Sequence, residues 1–246
     1  MKLVVRVLLT LAAAVPASAD TTDRLIRTLP LVPGAAVTLQ VTNGQVQVSG
    51  WNRPDLSVEV IRRGPDAAAL ARIPAQIDTR DGAVTIRVVQ PDGGRDAALR
   101  SDVVVRAPHA IHFEELSVFE GRLDLDGLSG AVRAHVERGD VTARNISGTI
   151  RVETGMGSIR VGRAALAPEG LIRLRTFNGD IALELLAQPS NARVLALSMG
   201  GTITSDVPLT RKERWGPRSG EATIGTGEPL ISLDVVNGNI ALTVAK

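Results

Sequence analysis

Between residues 121 and 161 the chain repeats a short alternation of apolar and polar positions. Glycine stands at 121, 130, 139, 148 and 157, nine residues apart each time. Two residues after each glycine come Leu123, Val132, Val141, Ile150 and Ile159, and four after come Leu125, Ala134, Ala143, Val152 and Val161. The residues between them are Asp124, Arg133, Thr142, Arg151 and Arg160. A period of two with one apolar side marks a strand that buries one face, so each unit predicts one short strand. The leading glycine predicts a sharp corner, where the backbone needs positive φ.

The seventh position after the glycine reads Leu128, Glu137, Ile146, Gly155 and Ala164, apolar in alternate units. The full period is therefore eighteen residues, two strands and two turns. After an insertion at 164–169 the phase returns with Gly170 and Gly179, and Ile172, Leu174 and Phe177 fall in register. Val194, Ala196 and Met199 before Gly201 fit the same frame, as do Ile231, Leu233 and Val236 before Gly238. Near the start, Val37, Leu39 and Thr42 before Gly44 do so too.

Two architectures use strands this short. A hairpin meander pairs them antiparallel, and the Asn-Gly turns at 43–44, 178–179 and 237–238 suit it. A β-solenoid, single-stranded and β-helix-like with about 18 residues per coil, stacks them in parallel at about 4.8 Å. The alternation at the seventh position favours the solenoid, because like positions then meet on every coil. The expected fold class is all-β, a β-solenoid with an irregular β N-terminal cap. Residues 35–118 form that less regular part. Strands are expected near Leu56–Ile61, Val84–Val89 and Val103–Arg106, with one short helix at Asp66–Arg72 between two prolines. Residues 119–246 carry the regular repeats, with a loop at 207–228; 35–246 read as a single domain after an N-terminal segment at 20–34.

The first nineteen residues read as a signal peptide. Lys2 and Arg6 precede the apolar run Val7–Val15, and Ala17-Ser18-Ala19 fits a small-x-small cleavage pattern. The run is too short to span a bilayer core of about 30 Å. With no cysteine, the chain has no lipoprotein anchor, disulfide framework or thiolate chemistry. An exported protein, periplasmic or extracellular and without a transmembrane span after leader removal, is expected. Losing Lys2 and Arg6 also balances the 28 basic residues of the whole chain against its 26 acidic ones. The charges are mixed along the sequence, which removes a global electrostatic case for nucleic acid. Aromatics are only 2% of residues, two Trp, three Phe and no Tyr. Surfaces that stack sugars or bases on rings are therefore poorly supplied.

The run Val41-Thr42-Asn43-Gly44-Gln45-Val46-Gln47-Val48-Ser49-Gly50-Trp51, followed by Leu56-Ser57-Val58-Glu59-Val60, resembles a widespread bacterial family of β-strand-repeat proteins of unknown function, labelled "putative adhesins". The nine-residue units and the end, Gly220–Pro229 leading into Leu233-Asp234-Val235-Val236-Asn237-Gly238-Asn239-Ile240, carry the likeness too. The resemblance implies an extracytoplasmic β-helix-like domain and no catalytic residues.

Candidate chemistry is sparse. Asp124, Asp126 and Asp140 offer carboxylates of the kind glycosidases use, but Asp124 sits between two inward positions and reads as outward solvation. His109 and His112 flank Ile111 beside Glu114 and Glu115; a metal needs three or four converging ligands, and His135 lies on a distant strand. Asp92-Gly93-Gly94 lacks the continuation of a calcium-binding nonapeptide, and Arg138-Gly139-Asp140 follows from the repeat's demand for glycine. No catalytic, cofactor or metal residues are assigned. The break at 210–220 holds Arg211, Lys212, Arg214, Trp215 and Arg218, a candidate interaction patch for an anionic envelope polymer or headgroup, against the plainer reading of a solvated loop. The expected function is a non-enzymatic scaffold or adhesin-like binding module with an envelope polymer or protein as partner, and self-association through solenoid edges as a further contact. A polysaccharide lyase or hydrolase on a β-helix is the alternative.

Overall fold

The computed structural model describes residues 20–32, 34–90, 96–212 and 216–245, so the expected leader lies outside the described residues. Strands β1 (Thr21–Pro30), β2 (Ala36–Trp51) and β3 (Asp55–Gly64) come first, then helix α1 (Ala67–Ala71). Strands β4 (Ala75–Arg80), β5 (Ala83–Val88), β6 (Arg100–Pro108) and β7 (His112–Asp126) complete the less regular part. The repeats supply β8 (Val132–Arg138), β9 (Val141–Arg144), β10 (Ile150–Met156), β11 (Ile159–Ala164), β12 (Leu171–Asn178) and β13 (Ile181–Leu185). The last six are β14 (Ala192–Ser198), β15 (Ile203–Ser205), β16 (Thr210–Lys212), β17 (Arg218–Ile224), β18 (Leu230–Asn237) and β19 (Ile240–Val244). Among the described residues the structure is all-β but for α1, and the nineteen strands belong to one sheet.

The repeat strands pair in parallel rather than as hairpins. Val132 faces Ile150 and Val141 faces Ile159, the eighteen-residue offset of the sequence. The insertion at 164–169 lengthens the next offset without moving the register, since Ile150 meets Ile172 and Ile159 meets Ile181. Two rows of strands result. The first runs β5, the start of β2, the start of β7, then β8, β10, β12, β18 and β14. The second runs β6, the end of β2, the end of β7, then β9, β11, β13, β19 and β15. Thus β18 and β19, last in sequence, lie inside the stack, and so does β2 near its start. Antiparallel strands finish the rows: β4 on β5, β3 on β6 with β1 beyond it, and β17 on β14 with β16 beyond it. Such additions cover strand edges that would otherwise present unpaired backbone groups. The segment expected as a loop at 207–228 thereby contains β16 and all of β17.

Helix α1 starts where Asp66 caps it, the carboxylate accepting from the Ala69 amide at 2.7 Å. Its Ala69 and Leu70 pack with Ile73 and Leu99 in a small satellite cluster beside the main core. That core fills the space between the rows, with Val132, Ile150, Ile172 and Ile231 in one buried column and Val141, Ile159, Ile181 and Ile240 in the facing one.

The third inward column departs from the frame expected from the sequence. In the first row the inward residue is the sixth after the glycine, not the seventh: Val136, Thr154 and Thr176 are buried, as are Val41, Ser198 and Val235 in the equivalent places. Phe177 and Met199 point outward, 56% and 59% exposed, and Val236 and Thr42 also leave the core. The cause is strand length. First-row strands such as β8 and β10 run seven residues, so parity continues to the sixth position. In the second row Gly127, Asn145 and Arg163, each sixth after its glycine, take φ of 66°, 54° and 54°, which interrupts the in–out alternation and brings Leu128, Ile146 and Ala164 inward at the seventh.

The corner glycines form a stack. Gly121, Gly139, Gly157, Gly179 and Gly238 all have φ between 141° and 150°. A Cβ on Gly139 would stand 1.5 Å from the Gly121 carbonyl oxygen, and one on Gly157 2.0 Å from that of Gly139. Side chains of the third column brace this stack. The Thr154 hydroxyl donates to Gly139 O at 3.2 Å, Thr176 to Gly157 O at 2.9 Å, and Ser198 to Gly238 O at 2.9 Å.

Candidate functional site

The outer side of the second row is tied together by its own side chains. From Gly139 onward, the residue after each corner glycine accepts from the backbone of the next rung. Asp140 accepts from the Ser158 amide at 2.8 Å, Ser158 from Asp180 at 3.3 Å, Asp180 from Asn239 at 2.8 Å, and Asn239 from Thr202 at 3.0 Å. The carboxylates singled out from the sequence belong to this lattice. Gln45 donates to Asp124 at 2.9 Å and Asn145 to Asp126 at 2.8 Å, while Arg160 stands 3.8 Å from Asp140. Asp124 and Asp126 lie on β7, paired with Thr142 and Arg144 of β9, so the three aspartates share an outer face and each is held by a neighbour.

The histidines sit apart. His109 Nδ1 is 2.5 Å from Gly127 O, a corner contact, and His112 Nδ1 accepts from the Ala131 amide at 3.2 Å. His135 is on the outer face of β8 with Nε2 3.5 Å from Glu137. Among the described residues no group of three or more His, Asp or Glu is placed to hold a metal ion. Trp51 donates its indole N–H to Asp55 O at 2.9 Å, with the Arg53 guanidinium 4.5 Å above the ring. This fixes it at the corner that follows Gly50.

The outer side of the first row is arranged differently. Arg133, Arg151 and Arg173 occupy one column, each in register with the next across β8, β10 and β12. Beside them a second column reads His135, Glu153, Arg175 and Asp234. At the β7 end, a bulge sets both Glu114 and Glu115 against β8 near Arg133, and these residues with Thr38 and Arg151 line a depression of about 440 Å³. Further along, Phe177 and Met199 flank Val236. A groove of about 600 Å³ lies over Leu195 and Leu197, with Thr210, Glu221, Ser232 and Asp234 around it. Sequence reasoning did not single out the arginine column. The eighteen-residue spacing of Arg133 and Arg151 was the signal that identifies it, because that period puts them on adjacent rungs.

Of the basic segment at 210–220, Arg211 and Arg218 are exposed on β16 and β17, and Arg218 donates to Gly201 O. Lys212 is in β16, paired with Ser219 of β17. Arg214 and Trp215 lie outside the described residues.

No family model and no curated protein matches the chain. Solved structures do. A "putative cell adhesion protein" from Clostridium sporogenes aligns over 92% of this chain and 100% of its own, at 11% identity and a TM-score of 0.50. The fold is shared with an adhesin-named protein. A "putative adhesin" from Bacteroides fragilis covers 89% of this chain and 97% of its own at 13% identity, with a TM-score of 0.35. A "putative lipid binding protein" from Parabacteroides distasonis covers 94% and 98% at 9% identity, with a TM-score of 0.26. At 11% identity the match with the Clostridium sporogenes structure speaks for the fold alone. No helix among the described residues is long and apolar enough to cross a membrane.

Proposed function

We propose that the chain is an exported, non-enzymatic binding module of the cell envelope, built as a β-solenoid whose outer faces carry the ligand. One observation supports this above the others: in-register parallel pairing turns single residues into rows that recur on every rung. Rows of that kind suit an extended, repetitive partner such as an envelope polymer more than a small substrate held in a pocket. Titratable groups that would be drawn into chemistry, Asp124, Asp126 and Asp140, are engaged in bracing neighbouring rungs. The leader expected from the sequence at 1–19 and the name of the Clostridium sporogenes neighbour support export and surface work. The basic segment with Arg211, Lys212, Arg214, Trp215 and Arg218 is a second contact; its described strands β16 and β17 lie beyond β14.

The test is co-sedimentation of the purified protein with envelope fractions of a Gram-negative cell, alongside a variant with Arg211, Lys212, Arg214 and Arg218 changed to serine. Binding lost by the variant assigns the contact to the basic segment, and binding kept by both assigns it to the outer faces. Absence of binding by either removes the envelope reading.

A further inference from the structure

We infer that the arginine column of the first row binds an anionic polysaccharide bearing one carboxylate per sugar. The inference rests on the binding-module reading above and names its ligand.

Arg133, Arg151 and Arg173 follow one another on adjacent parallel strands, which sets their Cα atoms about 4.8 Å apart. Like charges directly opposite on neighbouring strands repel, and no ion pair among the described residues relieves these three. Neither these three nor Arg175 makes an ion pair or side-chain hydrogen bond with another described residue. Arg133 and Arg173 are exposed and Arg151 is half-buried between them. The second row shows that this chain can satisfy such groups, because there Arg160 has Asp140 within reach. Three guanidinium forks in line, with their donors unused, are a receptor for a line of planar anions, since the fork matches a carboxylate in bidentate fashion.

The neighbouring column narrows the class. His135, Glu153, Arg175 and Asp234 alternate in character, so that side offers both donors and acceptors. A polymer of uronate rings carries a carboxylate and free hydroxyls on every ring, and because successive rings turn their carboxylates to different sides, the long, flexible arginine side chains must reach round the chain to meet them. Carboxylates then meet the arginines while hydroxyls meet Glu153 and its neighbours. A chain of phosphates has no hydroxyls to donate to Glu153 and Asp234. Duplex DNA places its charges about 3.4 Å apart along each strand, out of step with the rungs, and single strands lack rings to stack on. Neutral glycans are disfavoured for the same want of aromatics. The column also has ends. Glu114 and Glu115 stand beyond Arg133, and Ser232 follows Arg173, so three sugars are the length it reads.

The experiment titrates the protein with trigalacturonate, its methyl ester and inorganic polyphosphate at low and high salt. Two triple variants are compared with the native chain: Arg133→Gln with Arg151→Gln and Arg173→Gln, and a charge-matched set with Arg122→Gln, Arg144→Gln and Arg160→Gln. Circular dichroism and melting confirm that both sets fold. The expected result is binding of the acid that weakens at least about tenfold in the first set, as loss of charge-assisted hydrogen bonds requires, with little change in the second. The ester should fail to bind. Equal losses in both sets, equal binding of the ester, or preference for polyphosphate would overturn the inference. If the protein sediments with envelopes but ignores the uronate trimer, this inference falls and the binding-module reading stands; if it does neither, both fall.

Discussion

The two rows share one core and one period, yet their outer sides are built on opposite principles. On the second row, side chains reach along the stack and hold the next rung: Asp140, Ser158, Asp180 and Asn239 each accept from the following backbone amide. On the first row, Arg133, Arg151 and Arg173 line up without partners, and Phe177 and Met199 stand out in solvent. One face is occupied in holding the stack together and the other is left available. A repeat makes this division possible, because any choice made at one outward position is copied into a continuous row.

The sharpest break of the comparison is at the corner both rows share. Gly139→Ala would bring a Cβ to 1.5 Å from Gly121 O at a φ of 143°. The three nearest atoms are all backbone of Gly121, so no side chain can yield. The expected loss is about 3 kcal/mol or more of unfolding free energy, read from urea denaturation. Gly162→Ala is the control, since its Cβ meets nothing nearer than 3.7 Å; it should change stability by less than about 0.5 kcal/mol.

Next comes the brace between the first row and that corner. Thr176 is fully buried and donates to Gly157 O. Thr176→Val keeps the shape, and valine already fills the same column at 136 and 235. Only the hydrogen bond is lost, so the expected cost is about 1.5 kcal/mol. On the second row, Asp180→Ala removes the acceptor of the Asn239 amide and side chain, at 2.8 and 3.1 Å. Asn239 is exposed, so water replaces the partner and the cost falls to about 1 kcal/mol. A thermal melt of each variant checks the order.

These elements were unequally legible beforehand. The second and fourth positions after each glycine declare the strands, their buried side and the eighteen-residue offset, because β parity is local and strict. The helix at 66–72 was legible between its two flanking prolines, and the structure places it at Ala67–Ala71. The exchange of sixth for seventh position was not, since it depends on where a strand ends, and Asn145 and Arg163 at positive φ carry only a weak signature. That exchange moved Phe177 and Met199 from the expected core to the surface. The order of the rows was hidden too: placing β18 between β12 and β14 is a long-range pairing that no local pattern encodes. As for the site, the period alone aligns Arg133 with Arg151, but Arg173 joins them only because the insertion at 164–169 preserves register.

The smallest expected effect has the opposite sign, and it tests the contrast between the faces directly. If the first-row arginines repel one another without relief, Arg151→Gln should stabilise the free protein, because it removes the middle charge of three. The gain is a few tenths of a kcal/mol, the scale of cross-strand like-charge pairs. It should shrink as salt rises, since at about 0.1 M the screening length is near 10 Å and at 1 M near 3 Å, shorter than the rung spacing. Arg160→Gln on the second row removes the same charge from a place where Asp140 stands 3.8 Å away. There the change should be neutral or slightly destabilising, as for exposed ion pairs in general. Matched melts of the two variants at low and high salt decide the matter. A first-row gain that vanishes with salt, beside a second-row variant that shows none, is what an unsatisfied cation column requires. Equal behaviour of the two would mean that the arginines of the first row are as well accommodated as those of the second.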